Sequence, residues 1–462
     1  MATTTTGVSV SKVIAAMGAA VAAGLMFYGL QAGGEHEVMR TWALVIFAVS
    51  LFATHALPEH ITALLVMFVA LVADVAPANV VFSGFEVGAL WLLFSGIIIG
   101  VAAQEAGLGL YVAKKILGRV RLTYVRAVIL LVIAAFLMGF VIPATIPRII
   151  LMMPIALGLA QAMGFKEGGK GYTGLVFAMG VGTFGPTFAV VTANLPTMVH
   201  VGAMETVYGL KLSYSQYLLY HFPVTGIFRA LALVTMLILL FREKETRISE
   251  EGSPVMTRTQ KRLMVVLASA LIIWGTDVWH GVHPAWVAMG AAIVILWPQA
   301  KLISPGAFKE KIDLSPVLYV GGILSIGAIM IANGLDKELG AFVLQWVDWS
   351  TDSDLINMYL IGLLSIAICL VATAPAAPVL LVPIASQISL ATGISLGAVL
   401  MTEILGFSTT LMPYQGPPLV VLLSMCSAKV FDLVRLNLSV AAVMLILGFP
   451  LSFLWWRAIG LL

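Results

Sequence analysis

The stretch "VIPATIPRIILMMP", residues 141–154, sets an arginine and two prolines inside one of the most apolar regions of the chain. Pro143 and Pro147 interrupt a helix, and Arg148 follows at once. The surrounding apolar segment, 127–160, is too long for one membrane crossing and too short for two crossings plus a loop. A second segment, 355–390, has the same awkward length and the same punctuation, "TAPAAP" at 373–378. Each reads as a re-entrant hairpin that reaches mid-membrane and returns to its own side. Backbone of this kind survives at that depth only when buried in protein or lining a water-filled cavity.

The composition supports a membrane setting. The chain has 462 residues, 61% hydrophobic and 10% charged, with a mean hydropathy of +1.05. A soluble domain carries about 25% charge. The predicted fold class is an all-α polytopic membrane protein of about eleven transmembrane helices. Full spans are expected at 13–32, 38–56, 59–77, 87–106, 172–207, 217–241, 263–281, 284–298, 314–334, 395–427 and 431–458. "MATTTTGVSVSK" has no twin basic signal and no obvious cleavage site follows, so the first span reads as uncleaved. Cys369 and Cys426 give neither a metal spacing nor a disulfide framework.

Charge distribution orients the threading. With the N-terminus cytoplasmic, nineteen of the 25 Lys and Arg fall inside, four outside and two, Arg148 and Arg229, within the membrane. Hairpin one then enters from the cytoplasm, hairpin two from outside, and the C-terminus lies outside. "KKILGRVRLTYVR" (114–126) reads as an amphipathic helix on the inner surface.

The two halves look alike. Repeat 1 covers 38–241 after an extra N-terminal helix in 1–37, and repeat 2 covers 263–462 after a cytoplasmic linker at 242–262. "ALWLLFSGIIIGVAAQEAGL" (89–108) matches "PVLYVGGILSIGAIMIANGL" (316–335). "PIA" follows both hairpin tips, at 154–156 and 383–385. "TFGPTFAVVTANLP" (183–196) and "GFSTTLMPYQGPPL" (406–419) each break a long span, 172–207 and 395–427. An odd number of crossings per half makes the repeats inverted, a pattern of secondary transporters. The two tips and the two breaks are expected to converge on one site.

This order of elements, with "VFSGFEVGALWLLFSG" and "LPEHITALL", resembles the divalent anion/sodium symporters of the ion transporter superfamily. The resemblance runs from about residue 38 to 458. It implies a homodimer in the bacterial inner membrane, an elevator-like movement of the hairpins and broken helices, and sodium as the coupling ion. That family marks each tip with a Ser-Asn-Thr motif. Here the tips read Ala144, Thr145, Ile146 and Thr373, Ala374, Pro375, so both asparagines are replaced. Pro143 and Arg148 match the proline and arginine that flank the motif in some tricarboxylate carriers of the family.

Candidate substrate ligands are Arg148, Thr145, Ala144, Asn194, Thr373, Ala374, Gln415 and Pro417. A guanidinium fork suits carboxylate, sulfate or sulfonate. The alternative for Arg148 is an internal ion pair with Glu403, or a cap on hairpin carbonyls. Cation-coupling candidates are Thr145, Thr183, Thr187, Thr192, Glu403, Thr409 and Thr410. Glu403 reads either as a proton-coupling carboxylate or as an arginine's structural partner. Arg229 reads as structural, and His200 as a core histidine. Asp277, His280 and His283 have spacing that a metal accepts, but no metal or organic cofactor is expected.

The function expected is secondary active transport of a small anion, a di- or tricarboxylate first, with sodium coupling. Proton symport, or exchange of sulfate or a sulfonate, stands as the alternative. A channel or an intramembrane enzyme fits less well, because no nucleophile–base pair, phosphate loop or zinc motif is present. The partners expected are the anion and the lipid bilayer, not nucleic acid.

Overall fold

The computed structural model describes residues 10–31, 37–54, 56–108, 111, 115, 123–245, 255–346, 349, 353–371 and 373–462, and every regular element among them is a helix. The chain begins with α1 (Val10–Gln31), α2 (Glu37–Thr54), α3 (Glu59–Val72) and α4 (Gly88–Glu105). The first hairpin segment forms α5 (Tyr124–Val141) and α6 (Thr145–Ala162). The first broken span forms α7 (Lys170–Phe184) and α8 (Leu195–Tyr208), and α9 (Tyr214–Phe241) ends this half. The second half opens with α10 (Arg258–Gly275), α11 (Pro284–Leu296), α12 (Ser315–Ala332) and α13 (Leu335–Trp346). Its hairpin segment is α14 (Asp354–Val371) and α15 (Ala377–Thr392), its broken span α16 (Leu396–Phe407) and α17 (Pro417–Ser424), and α18 (Val430–Ala458) comes last. One-turn helices are left unnumbered. Most of 114–126, and the middle of the 242–262 linker, lie outside the described residues.

Among the described residues seven helices, α4, α5, α6, α9, α12, α14 and α18, are long and apolar enough to cross a membrane. α3, α11, α15 and α16 are apolar but shorter. For α15 and α16 the shortness follows from the breaks. α16 has 12 residues, a length of about 18 Å against a hydrocarbon core of about 30 Å.

Proline chemistry places the breaks. Each helix that leaves one carries proline in its first turn: Pro147 in α6, Pro196 in α8, Pro378 in α15, and Pro417 with Pro418 in α17. Proline fits there because first-turn N–H groups have no helical acceptor, and it prevents the preceding helix from running on. Elsewhere side chains mark the starts. Ser213 with Gln216 and Thr257 with Gln260 form capping boxes for α9 and α10, and Ser395 caps α16. α9 and α18 share one irregularity. Each contains a widened turn of π type, at Phe222–Phe228 and Met444–Gly448.

The packing repeats between halves. α5 and α6 lie on α7, and α14 and α15 lie on α16. The halves also cross over: α8 packs on α15, and α17 packs on α6. Around this group α3 pairs with α12, α4 with α11, and α9 with α18. Small residues allow the closest crossings. A Cβ added to Gly406 of α16 falls 2.6 Å from the Gly362 carbonyl oxygen of α14.

Candidate functional site

A cavity of about 480 Å³ opens between the two groups of helices, and all four breaks reach its wall. Pro143, Ala144, Thr145, Ile146 and Pro147 line it from the first tip, and Pro375 lines it from the second. Leu195 and Pro196 come from the start of α8, and Gly416, Pro417 and Pro418 from the start of α17. The wall is thus built from the N-terminal ends of α6, α8 and α17. These ends carry partial positive charge and favour an anion. The opposite wall is apolar, with Leu93, Ile97 and Val101 of α4 and Tyr319 of α12.

Polar side chains sit where α3 and α12 begin. Glu59, His60, Lys311, Asp313 and Ser315 line that end, with Gln104 from the last turn of α4. The Ser315 hydroxyl and amide hold the Asp313 carboxyl below the usual carboxylate range. Lys311 donates to Glu105 at 2.6 Å, and Glu105 also accepts from the Ser304 hydroxyl at 2.6 Å. Of these rim residues only Glu105 was singled out from the sequence, as a carboxylate at the inner end of its span that reaches water. The signal was there: charges stand at or just before the starts of two helices that pack on each other, in "LPEH" and "KIDLSP".

Arg148 turns away from the cavity. Its side chain is fully buried and is not part of the wall. Nη1 donates to the Ile142 carbonyl at 3.0 Å. Nη2 faces four oxygens: the Ala193 carbonyl at 2.9 Å, the Thr183 carbonyl and Thr145 Oγ1 at 3.0 Å, and Thr187 Oγ1 at 3.4 Å. Ile142 and Thr183 stand at the C-terminal ends of α5 and α7, where carbonyls lack helical donors and the dipole favours a cation. Of the two alternatives to substrate binding, the carbonyl cap describes this geometry and the ion pair with Glu403 does not. Among the described residues no acidic side chain pairs with Arg148 or Arg229.

Several candidates join this cluster. Thr145 donates to Asn194 Oδ1 at 2.6 Å, and Asn194 Nδ2 donates to Thr187 Oγ1 at 3.0 Å, so Asn194 ties the tip to the break. Thr187 donates back to the Thr183 carbonyl at 2.7 Å. Thr183 and Thr192 are buried as well, the Thr192 side chain against Tyr214. In the second half the Ala374 amide donates to the Gln415 carbonyl at 2.8 Å. The Gln415 side-chain oxygen accepts from the Leu411 and Met412 amides at 2.7 Å each, and this residue is buried rather than on the cavity wall. Thr373 faces α2, across a small gap shared with Val45 and Phe52. Thr409 donates to the Leu405 carbonyl at 2.9 Å and also accepts from Arg229, while Thr410 is half-buried next to it. Arg229 holds the Ser408 carbonyl at 2.9 Å and the Gly185 carbonyl at 3.4 Å, joining the two breaks.

Glu403 is fully buried, 3.8 Å from Nε2 of the equally buried His200. Neither carboxyl oxygen has a hydrogen-bond partner among the described residues. The pair joins α8 to α16, one half-helix from each repeat. Asp277 instead takes the Ser215 amide and hydroxyl. His280 bonds the Ile273 carbonyl and His283 caps α11, so these three serve local structure.

A cysteine at Ile146 tests which end of the cavity is open. We expect Ile146→Cys, in a Cys426→Ser background, to react rapidly with a small charged thiol reagent applied from the face that carries Lys311 and Asp313. Buried Cys369 stays unmodified. Labelling only from the opposite face, read by mass spectrometry, would reverse the assignment.

A model of the citrate transporter family (CitMHS) matches residues 42–281, just over half of the chain. The chain belongs to the citrate transporter family. It is a membrane transporter, not an enzyme. Along most of its length it is similar to an uncharacterized transporter of Haemophilus influenzae, 23% identical over 446 residues that cover 90% of this chain and 91% of that protein. Its fold is similar to that in the crystal structure of the Alcanivorax borkumensis YdaH transporter, at a TM-score of 0.57 and 15% identity, over 83% of this chain and 88% of that one. This member of the citrate transporter family thus shares the fold of that transporter. Membership of the narrower divalent anion/sodium symporter group does not follow from these matches.

Proposed function

We propose that this transporter carries a small organic anion, a di- or tricarboxylate of citrate's class, by alternating access. The observation that carries this reading is one cavity of about 480 Å³ onto which all four helix breaks open. Its volume lies within the usual range for small-molecule sites, about 300–1,000 Å³. Backbone amides near Ala144, Thr145 and Leu195 supply the anion-facing ends, while the proline start of α17 adds only its helix dipole. Asn194, Thr373, Ala374 and Gln415 hold the tip and break loops in register. The family's name supports a tricarboxylate. The resemblance to divalent anion/sodium symporters supports an elevator-like movement of α5–α8 and α14–α17 in a homodimer. With the N-terminus cytoplasmic, the polar rim of Glu59, His60, Lys311 and Asp313 faces the cytoplasm, and the cavity is inward-open in the inner membrane.

Sodium is the coupling ion that this resemblance implies. A second reading, proton coupling, is favoured by one observation: the His200–Glu403 pair, sealed from solvent between the two repeats. A carboxyl there binds or releases a proton only when the halves part, which links protonation to movement.

Uptake into proteoliposomes tests both readings. Labelled citrate, succinate, sulfate and a sulfonate are offered under an imposed sodium gradient and, separately, a proton gradient. Concentrative uptake of a carboxylate supports the proposal; uptake of none of the four removes it. Sulfate or sulfonate exchange without a cation requirement would place the protein among exchangers. We expect Glu403→Gln to keep counterflow of the anion but to lose proton-driven accumulation. Unchanged proton-driven uptake by Glu403→Gln would exclude this carboxyl from coupling.

A further inference from the structure

We infer that the guanidinium of Arg148 is a tethered cation occupying a coupling-ion site, so that the first break needs no sodium. The cluster around Nη2 is the reason. A terminal guanidinium nitrogen has two hydrogens, yet four oxygens surround this one between 2.9 and 3.4 Å. Three would satisfy a hydrogen-bond fork generously; four describe a shell built around positive charge. The shell has the make-up of an alkali-cation site, with the carbonyls of Thr183 and Ala193 and the hydroxyls of Thr145 and Thr187. In transporters built from broken helices, unwound carbonyls and half-helix C-terminal ends coordinate the driving cation. Here the ends of α5 and α7 point at the guanidinium. No acidic side chain among the described residues competes for the charge, which leaves the helix ends to stabilise it.

The second break repeats the arrangement. Arg229 meets the carbonyls of Gly185 and Ser408 and the hydroxyls of Ser408 and Thr409, at the ends of α7 and α16. The end of α7 therefore serves both arginines, through Thr183 and Gly185. A charge carried by a side chain never leaves the protein. It keeps the carbonyls of a tip and a break together throughout the cycle and contributes no ion gradient to transport. The inference deepens the carrier reading by assigning its coupling, and for that meaning it rests on that reading. Cation binding itself is measurable without transport.

The experiment is thermal unfolding of the purified protein in detergent, at constant ionic strength, with sodium, potassium, low guanidinium or choline as the cation. Wild type is expected to melt at the same temperature in sodium and in choline. Arg148→Ser opens the shell. It is expected to melt lower in choline and to regain a large part of the loss, saturably, in sodium or guanidinium. A folded Arg148→Ser variant indifferent to every cation would overturn the inference. So would wild type stabilised saturably by sodium in a manner abolished by Thr187→Val, a result that stands even if Arg148→Ser does not fold. Arg148→Lys, which restores a charge, is expected to remain indifferent to sodium; a sodium requirement there counts against the inference. Failure of all uptake assays with these melting results intact would reject the carrier substrate class and leave the tethered cation standing.

Discussion

Arg148→Met is expected to be the most damaging single substitution outside the cavity wall. Methionine fills much of the same space, so the loss is polar rather than a void, and the thioether keeps cations out of the shell. Five hydrogen bonds disappear, one from Nη1 and four from Nη2. The hydroxyls find other partners, since Thr187 already donates to the Thr183 carbonyl and Thr145 to Asn194. The Ile142 carbonyl loses its donor, and that of Ala193 keeps only the longer contact from Thr145 at 3.3 Å. Each buried group left without a partner costs about 1–3 kcal/mol, so the tip is destabilised by about 2–5 kcal/mol. We expect a clear fall in melting temperature and loss of uptake together, because the tip and the break no longer move as one body. Normal melting and normal uptake by Arg148→Met would mean that the guanidinium holds neither.

Gly406→Val should be nearly as severe, for a different reason. The first added carbon meets the Gly362 backbone, its oxygen at 2.6 Å and its Cα at 3.0 Å. Backbone has no rotamer to escape into, so α14 and α16 separate. Overpacking of this kind costs about 1–3 kcal/mol, and the two methyls of valine put the effect at the upper end. α16 also carries Glu403, and its displacement from α14 shifts the carboxyl relative to His200. Proton-driven uptake is therefore expected to fall further than stability alone explains, while Gly406→Ala gives a smaller loss of both. Equal melting of wild type and Gly406→Val would show that the two helices are not in close contact in the membrane.

The architecture was largely legible because proline writes it. Pro143, Pro147, Pro375, Pro378, Pro196, Pro417 and Pro418 stand at the breaks, and a helix cannot ignore them. Side-chain direction was not legible. The sequence places Arg148 at the tip, but whether it faces the cavity or the carbonyls behind it depends on where α5 and α7 end, and carbonyl positions leave no mark in residue identity. Gln415 illustrates the same limit, since its amide folds onto its own loop. His200 and Glu403 were each conspicuous alone. Their pairing lies between different repeats, and no local pattern encodes a contact of that range.

The crossover of α8 onto α15 and α17 onto α6 has a consequence for biogenesis. α16 and α17, of 12 and 8 residues, are too short to partition into a bilayer one at a time. The partner of α17 lies in the half made first, while α8 waits for a helix made later. The first half must therefore leave the ribosome with an unfinished centre. Insertion of the half-helices then becomes a late, joint event, completed only when the second half arrives to cover the open backbone of the first.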